Sequence, residues 1–272
     1  MELLSYSFFQ NALLGSFFIC VVCGITGAYI VVRRLVFISG GITHASFGGL
    51  GLGFYWGINP IISALLFSIL SAFGIEWLSK KQDIREDSAI AAVWALGMAL
   101  GVICIFLTPG YAVNLPAYLF GNILTISNSD IWLSGVLSVL LVIGFTLFFK
   151  PILYTAFDKE FARTRGLNAN LIETLMMILI AVSIVASIRL IGIMLLMSLL
   201  TVPQITANLF TSKFKELIVY SVGISIIGCF SGLFMSYYLN VPSGASIIFV
   251  QVLLFLVCKS FIFLRKKTIK PV

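Results

Sequence analysis

The sequence predicts an all-α, polytopic membrane protein of eight or nine transmembrane helices. Three observations carry that prediction: 60% of the 272 residues are hydrophobic, only 10% are charged, and the charges gather in clusters between long uncharged stretches. A soluble domain carries about 25% charged residues, so composition excludes a soluble fold. A helix needs about 20 apolar residues to cross a bilayer core, and stretches of that length run along the whole chain. Residues 1–272 therefore read as a single transmembrane domain.

Residues 3–32 carry no formal charge, and neither do 35–75, 88–129, 131–149, 190–212 and 217–258. Turn signals divide the longest of these: Asn59-Pro60, then Pro109-Gly110 with Pro116, then the run from Asn240 to Gly244. Spans are expected near 8–32, 38–56, 60–79, 87–108, 130–149, 170–189, 191–210, 216–239 and 244–264. Helices are expected because a barrel would need alternating strands of about 10 residues, and none of these runs alternates. The first run has neither a basic segment before it nor a small-residue cleavage site after it, so it reads as a retained span rather than a signal peptide.

The net charge of +7 is explained by topology rather than by a nucleic-acid partner. Basic residues cluster at Arg33-Arg34, Lys80-Lys81 with Arg85, Lys150, Lys159 with Arg163 and Arg165, Lys213 with Lys215, and Arg265 to Lys270. These clusters fall at every second junction, and only Arg189 and Lys259 of the 17 basic residues depart from the pattern. The positive-inside rule then places the clusters in the cytoplasm, the N-terminus outside and the C-terminus inside. That arrangement needs an odd number of crossings and favours nine over eight.

No Gly-x-x-x-x-Gly-Lys-Ser/Thr loop is present, so the chain has no phosphate cradle and any ATP is hydrolysed by a partner. One histidine, few buried carboxylates and no Gly-x-Ser-x-Gly elbow leave no assembled nucleophile and base. No catalytic residue and no bound cofactor are expected. The run Gly48-Gly49-Leu50-Gly51-Leu52-Gly53 lies in a hydrophobic span with no strand before it, which reads as close helix packing rather than a dinucleotide loop. Cys20, Cys23, Cys104, Cys229 and Cys258 all sit in apolar runs and are expected to pack rather than to bind metal.

The most informative polar segment is 157–168, Phe-Asp-Lys-Glu-Phe-Ala-Arg-Thr-Arg-Gly-Leu-Asn. Asp158 is placed to cap a short helix, Glu160 falls in its first turn, and Gly166 ends it. With mixed charges from Arg163 and Arg165 and aromatic anchors at Phe157 and Phe161, it suits a docking element for another protein.

That segment resembles the coupling-helix region of the metal-ion (zinc, manganese or iron) permeases of bacterial ABC importers. The resemblance extends to Arg33-Arg34-Leu35 leading into Gly41-Ile-Thr-His-Ala45, to Arg85-Glu-Asp-Ser-Ala-Ile90, to Pro109-Gly-Tyr-Ala-Val-Asn-Leu115 with Tyr118 to Asn122, and to Ile191 through Pro203. Together these cover nearly the whole chain in order. The resemblance implies an ABC importer permease fold in a bacterial inner membrane, with a divalent metal as substrate. It also implies three partners: a cytoplasmic ATP-binding subunit docked on 157–168, an extracytoplasmic metal-binding protein, and a second copy of the permease.

His44, the only histidine, lies early in the second expected span. An ionisable side chain in a membrane helix is a functional candidate, and neutral imidazole is a common metal ligand. A hydrogen bond to a neighbouring helix is the alternative role. Thr43, Ser39 and Ser46 flank it or share part of its face as weak oxygen donors. Many family members carry a carboxylate where this chain has Gly40, and an aspartate where it has Asn114. Met197, Thr201, Gln204 and Asn208 form a stripe on the seventh expected span, with Gln204 a further pathway candidate; helix–helix hydrogen bonding explains the stripe equally well. Arg189 reads as an anchor, and Glu76 as the i, i+4 partner of Lys80. Three other readings of the chain stay open: a permease for chelated iron, haem or corrinoid; an ion-coupled secondary transporter, which would show inverted repeats and buried carboxylates; and a purely structural or scaffold membrane protein.

Overall fold

A computed structural model describes residues 5–82, 84–109, 121 and 123–269. The described residues form eleven α-helices and one 3-10 turn, with no strand among them. In order these are α1 (Ser7–Val32), α2 (Val36–Trp56), α3 (Pro60–Lys81), α4 (Glu86–Leu107), the 3-10 turn Ile123–Thr125, α5 (Asn128–Leu147), α6 (Phe149–Phe157), α7 (Lys159–Thr164), α8 (Ala169–Leu199), α9 (Val202–Ala207), α10 (Phe214–Leu239) and α11 (Ser243–Ile269). The segment with Asn114 and Pro116, and the Lys80 side chain expected to pair with Glu76, lie outside the described residues.

Among the described residues seven helical segments are long and apolar enough to cross a membrane, against the eight or nine spans expected. The difference arises in two places. Helix α2 has 21 residues, about 31 Å at 1.5 Å per residue, but its glycines, hydroxyls and His44 dilute its apolar character. The continuous segment Ala169–Ala207 holds 39 residues, far more than one crossing needs. It is broken at Gly192, where φ 75° and ψ 169° leave helical space. That break falls next to the turn expected between 189 and 191.

The chain forms two compact units. One comprises 32–119 and 148–189. Here α2, α3 and α4 meet backbone to backbone, as the glycine run predicts. A Cβ added at Gly51 would lie 2.5 Å from the Gly101 carbonyl oxygen, and one added at Gly49 would lie 2.6 Å from Ala64 Cα. Around these contacts a core forms from Phe47, Leu50, Ala64 and Val185. Asn59 caps α3 by accepting from the Ile61 N–H at 3.0 Å, with Pro60 supplying the pre-set φ of the first turn.

The other unit comprises 1–31, 120–147 and 190–272. Helix α1 is buried along most of its length, with Cys20 and Cys23 fully enclosed, as packing residues are. Asn11 ties it to the start of α5 by donating to Asn128 Oδ1 at 3.2 Å. Helices α10 and α11 cross where a Cβ on Gly232 would come within 2.5 Å of Ile247 Cα, and Gln251 donates to the Ser225 carbonyl at 3.2 Å. Just before α10, a 2.9 Å hydrogen bond to the Glu216 carboxylate pushes the Lys213 ammonium above its ordinary value.

Candidate functional site: a capped connector and the His44 helix

The connector between α6 and α8 is built as its residues dictate. Asp158 leaves the helical region at φ −148°, ψ 104°, and its carboxylate accepts from the Phe161 N–H at 3.0 Å. Helix α7 then runs for six residues, with Glu160 in its first turn and Arg163 in its last. Gly166, at φ 74°, closes it: the Gly166 N–H reaches the Arg163 carbonyl at 2.9 Å and the Leu167 N–H reaches the Ala162 carbonyl at 3.1 Å. This paired closure requires a left-handed residue, which glycine adopts without steric cost.

Exposed charges and aromatics decorate this short helix. Arg163 pairs with Glu160 at 2.6 Å and reaches Asn170 at 3.3 Å. The Arg165 guanidinium lies 5.1 Å from the centre of the Phe161 ring, which itself meets Tyr154 edge-on at 5.1 Å. Phe157 is exposed, whereas Ala162 is buried beneath the helix. All six predicted docking residues, Asp158, Glu160, Phe161, Arg163, Arg165 and Gly166, thus fall on this one capped element.

An ion cluster anchors the element. Glu173, on the second turn of α8, binds Arg33 through one carboxylate oxygen at 2.5 Å and Lys159 through the other. The second arm of the Arg33 guanidinium donates to the Ala156 carbonyl at 3.5 Å, in the last turn of α6. All three charged side chains are largely shielded from solvent. The sequence alone does not pair Glu173 with Arg33 and Lys159, although a carboxylate inside an expected span at 170–189 is itself a signal.

In the same unit, α2 carries Ser39, Thr43, His44 and Ser46. His44 is half-buried and lies parallel to Trp94 of α4, with ring centroids 4.1 Å apart and planes 7° from coplanar. Its Nδ1 is enclosed and has no hydrogen-bond partner among the described residues. The three hydroxyls are buried and donate to carbonyls of their own helix: Ser39 to Val36 at 2.8 Å, Thr43 to Ser39 at 2.6 Å, and Ser46 to Thr43 at 2.6 Å. Their protons are thereby committed, which leaves oxygen lone pairs as the only function they can offer a cation. No signal in the sequence pairs Trp94 with His44, because the two lie on different helices.

A cavity of about 550 Å³ also belongs to this unit, lined among others by Ser46, Leu50, Asn59, Ala64 and Arg189. Gln204 belongs to the other unit. It is fully buried, and its amide nitrogen donates to the Cys23 carbonyl at 2.9 Å and the Leu199 carbonyl at 3.0 Å, while Oε1 has no partner among the described residues. Thr201 on the same stripe donates to the Met197 carbonyl at 2.8 Å. Among the described residues no three His, Cys, Asp or Glu side chains come together as a metal-binding group.

Comparison with known proteins adds a family. Residues 5–262 match the ABC 3 transport family. An uncharacterised membrane protein of Synechocystis is 36% identical over 96% of this chain and 93% of its own length. The manganese transport system membrane protein MntC of Listeria monocytogenes is 32% identical over 97% of this chain and 94% of its own. The solved structure of PsaBC from Streptococcus pneumoniae in complex with Fab superposes with a TM-score of 0.86 at 29% identity, covering 94% of this chain and 93% of that one.

Proposed function

The chain belongs to the ABC 3 transport family, and on that premise we propose that it is the membrane-spanning permease subunit of an ATP-driven importer of divalent metal ions, manganese or zinc. The observation that carries this reading is the 32% identity, across 97% of the chain, to a protein named as a manganese transport system membrane protein. The chain translocates and does not hydrolyse: a cytoplasmic ATP-binding subunit uses the ATP, and an extracytoplasmic metal-binding protein delivers the ion. A second copy of the permease completes the transporter.

The whole of 1–272 acts as one transmembrane permease domain in a bacterial inner membrane, with the N-terminus outside and the C-terminus in the cytoplasm. The alternation of basic clusters supports that orientation. A count of eight to nine crossings is supported by the length of α2 and by the Gly192 break within Ala169–Ala207.

The ATP-binding subunit docks on α7 through Asp158, Glu160, Phe161, Arg163, Arg165 and Gly166, a reading supported by the exposed charges and the double capping of this helix. The ion passes His44, whose imidazole is the strongest donor on α2, with the hydroxyl oxygens of Thr43, Ser39 and Ser46 assisting. Gln204, in the other unit, is a separate pathway candidate through its carbonyl oxygen. Without a carboxylate at Gly40, the donors on α2 hold a cation weakly, which suits an ion that must leave again.

The test is uptake of radioactive Mn²⁺ and Zn²⁺ into vesicles that contain the permease, its ATPase and its binding protein. Uptake of either metal that requires ATP is the expected result. Uptake that proceeds without ATP, or absence of uptake for both metals, removes the reading.

A further inference from the structure

The docking element spans only 157–168, yet both of its shoulders and one residue within it converge on the same pair of charges. Before it, the Ala156 carbonyl at the end of α6 accepts from Arg33. After it, Glu173 on α8 binds Arg33 at 2.5 Å. Within it, Lys159 at the start of α7 binds the other oxygen of Glu173. Arg33 in turn lies three residues before α2, separated from it only by Arg34, held at φ 58°, and Leu35. Lys159 of α7 is thereby linked through Glu173 and Arg33 to the junction of α1 with α2, the helix that carries His44.

Helix α2 is suited to move as a rigid lever. Its glycines place its backbone directly against α3 and α4, so the three helices have little slack to absorb a push at one end. Glu173 is mostly buried, with 18% of its side chain exposed, so solvent screens its two contacts far less than it screens a surface pair. Its carboxylate touches the connector at Lys159 and the junction between α1 and α2 at Arg33.

We infer that Glu173 is the positioning residue that couples movement of the docking helix α7 to α2. This rests on the reading of the chain as an ATP-driven metal permease. Glu173 does not touch the ion. It transmits, and its loss leaves hydrolysis running while transport per ATP falls.

The experiment uses the full transporter, permease with ATPase and binding protein, in vesicles where Mn²⁺ uptake and ATP hydrolysis are read from the same sample. Glu173→Gln keeps the side-chain shape and removes the charge; Glu173→Asp keeps the charge. The expected result is wild-type hydrolysis in Glu173→Gln with uptake per ATP reduced on the order of tenfold, and a substantial recovery in Glu173→Asp. Arg33→Gln, which leaves the Glu173–Lys159 contact in place, is expected to show the same loss. An unchanged uptake-to-hydrolysis ratio in Glu173→Gln overturns the inference. So does failure of both Glu173→Gln and Arg33→Gln to assemble, which would assign the cluster to stability alone. Absence of ATP-dependent Mn²⁺ and Zn²⁺ uptake in the wild type is a separate outcome, and it removes the underlying transport reading instead.

Discussion

The imidazole of His44 lies flat against the indole of Trp94, with ring centroids 4.1 Å apart and planes inclined by 7°. Metal-binding histidines are commonly oriented by a hydrogen bond from the second ring nitrogen. Here Nδ1 is enclosed without such a partner among the described residues, so the aromatic stack is what sets the ring plane.

This contact gives His44 a spectroscopic reporter. Mn²⁺ is paramagnetic and quenches an indole that it approaches closely, so titrating Mn²⁺ into the purified transporter is expected to lower tryptophan fluorescence. The quench should disappear in Trp94→Phe, even though Trp56, Trp77 and Trp132 remain. It should disappear in His44→Ala as well. A quench that persists in His44→Ala would place the ion elsewhere.

Removing the cap on α7 should loosen this short helix without touching the membrane core. Asp158→Ala deletes the 3.0 Å bond to the Phe161 N–H and is expected to destabilise α7 by about 1 kcal/mol. Amide hydrogen exchange across 157–168 should rise, while exchange in α2 stays as in the wild type. Unchanged exchange in the connector would contradict the assigned role of the cap.

At the other end of the same helix, Gly166 holds φ 74° with open space around it. Gly166→Ala therefore creates no clash and costs only the left-handed backbone, about 1–2 kcal/mol. Binding of the ATPase subunit to the permease should weaken, and Gly166→Asn, which tolerates this conformation better, should recover part of the loss.

The packing of α2 is much less tolerant. A Cβ at Gly101 would lie 2.6 Å from the Phe47 carbonyl oxygen, which is backbone and cannot swing aside. Gly101→Leu is expected to lower thermal stability in detergent by about 1–3 kcal/mol. Substitution at Gly144, which has no neighbour within 4 Å of an added Cβ, should be near neutral.

Some of this was readable from the chain because the causes are local. Asp158, Glu160 and Gly166 act on their own turn, so the short capped helix α7 was legible from residue types and spacing alone. The spans were legible because the bilayer sets a length that each uncharged run must meet. Helix α2 shows the limit of hydropathy: glycines there serve backbone contact with α3 and α4, so the same residues that build the packing weaken the apolar signal. The turn expected at 190 lies at Gly192, since only glycine takes φ 75° with ψ 169° at little cost. Trp94 against His44, and Glu173 between Arg33 and Lys159, were not legible. Each joins residues on separate elements, and a single sequence has no periodicity that reports such a pairing.

The most direct test compares ATP-driven Mn²⁺ accumulation by the wild-type transporter and His44→Ala, reconstituted with the same ATPase and binding protein. Accumulation in the wild type is expected to cease when ATP is omitted, and the rate in His44→Ala to fall on the order of tenfold or more. Full transport in His44→Ala would contradict the assigned path of the ion, and a wild type that accumulates neither Mn²⁺ nor Zn²⁺ with ATP present would contradict the metal permease itself.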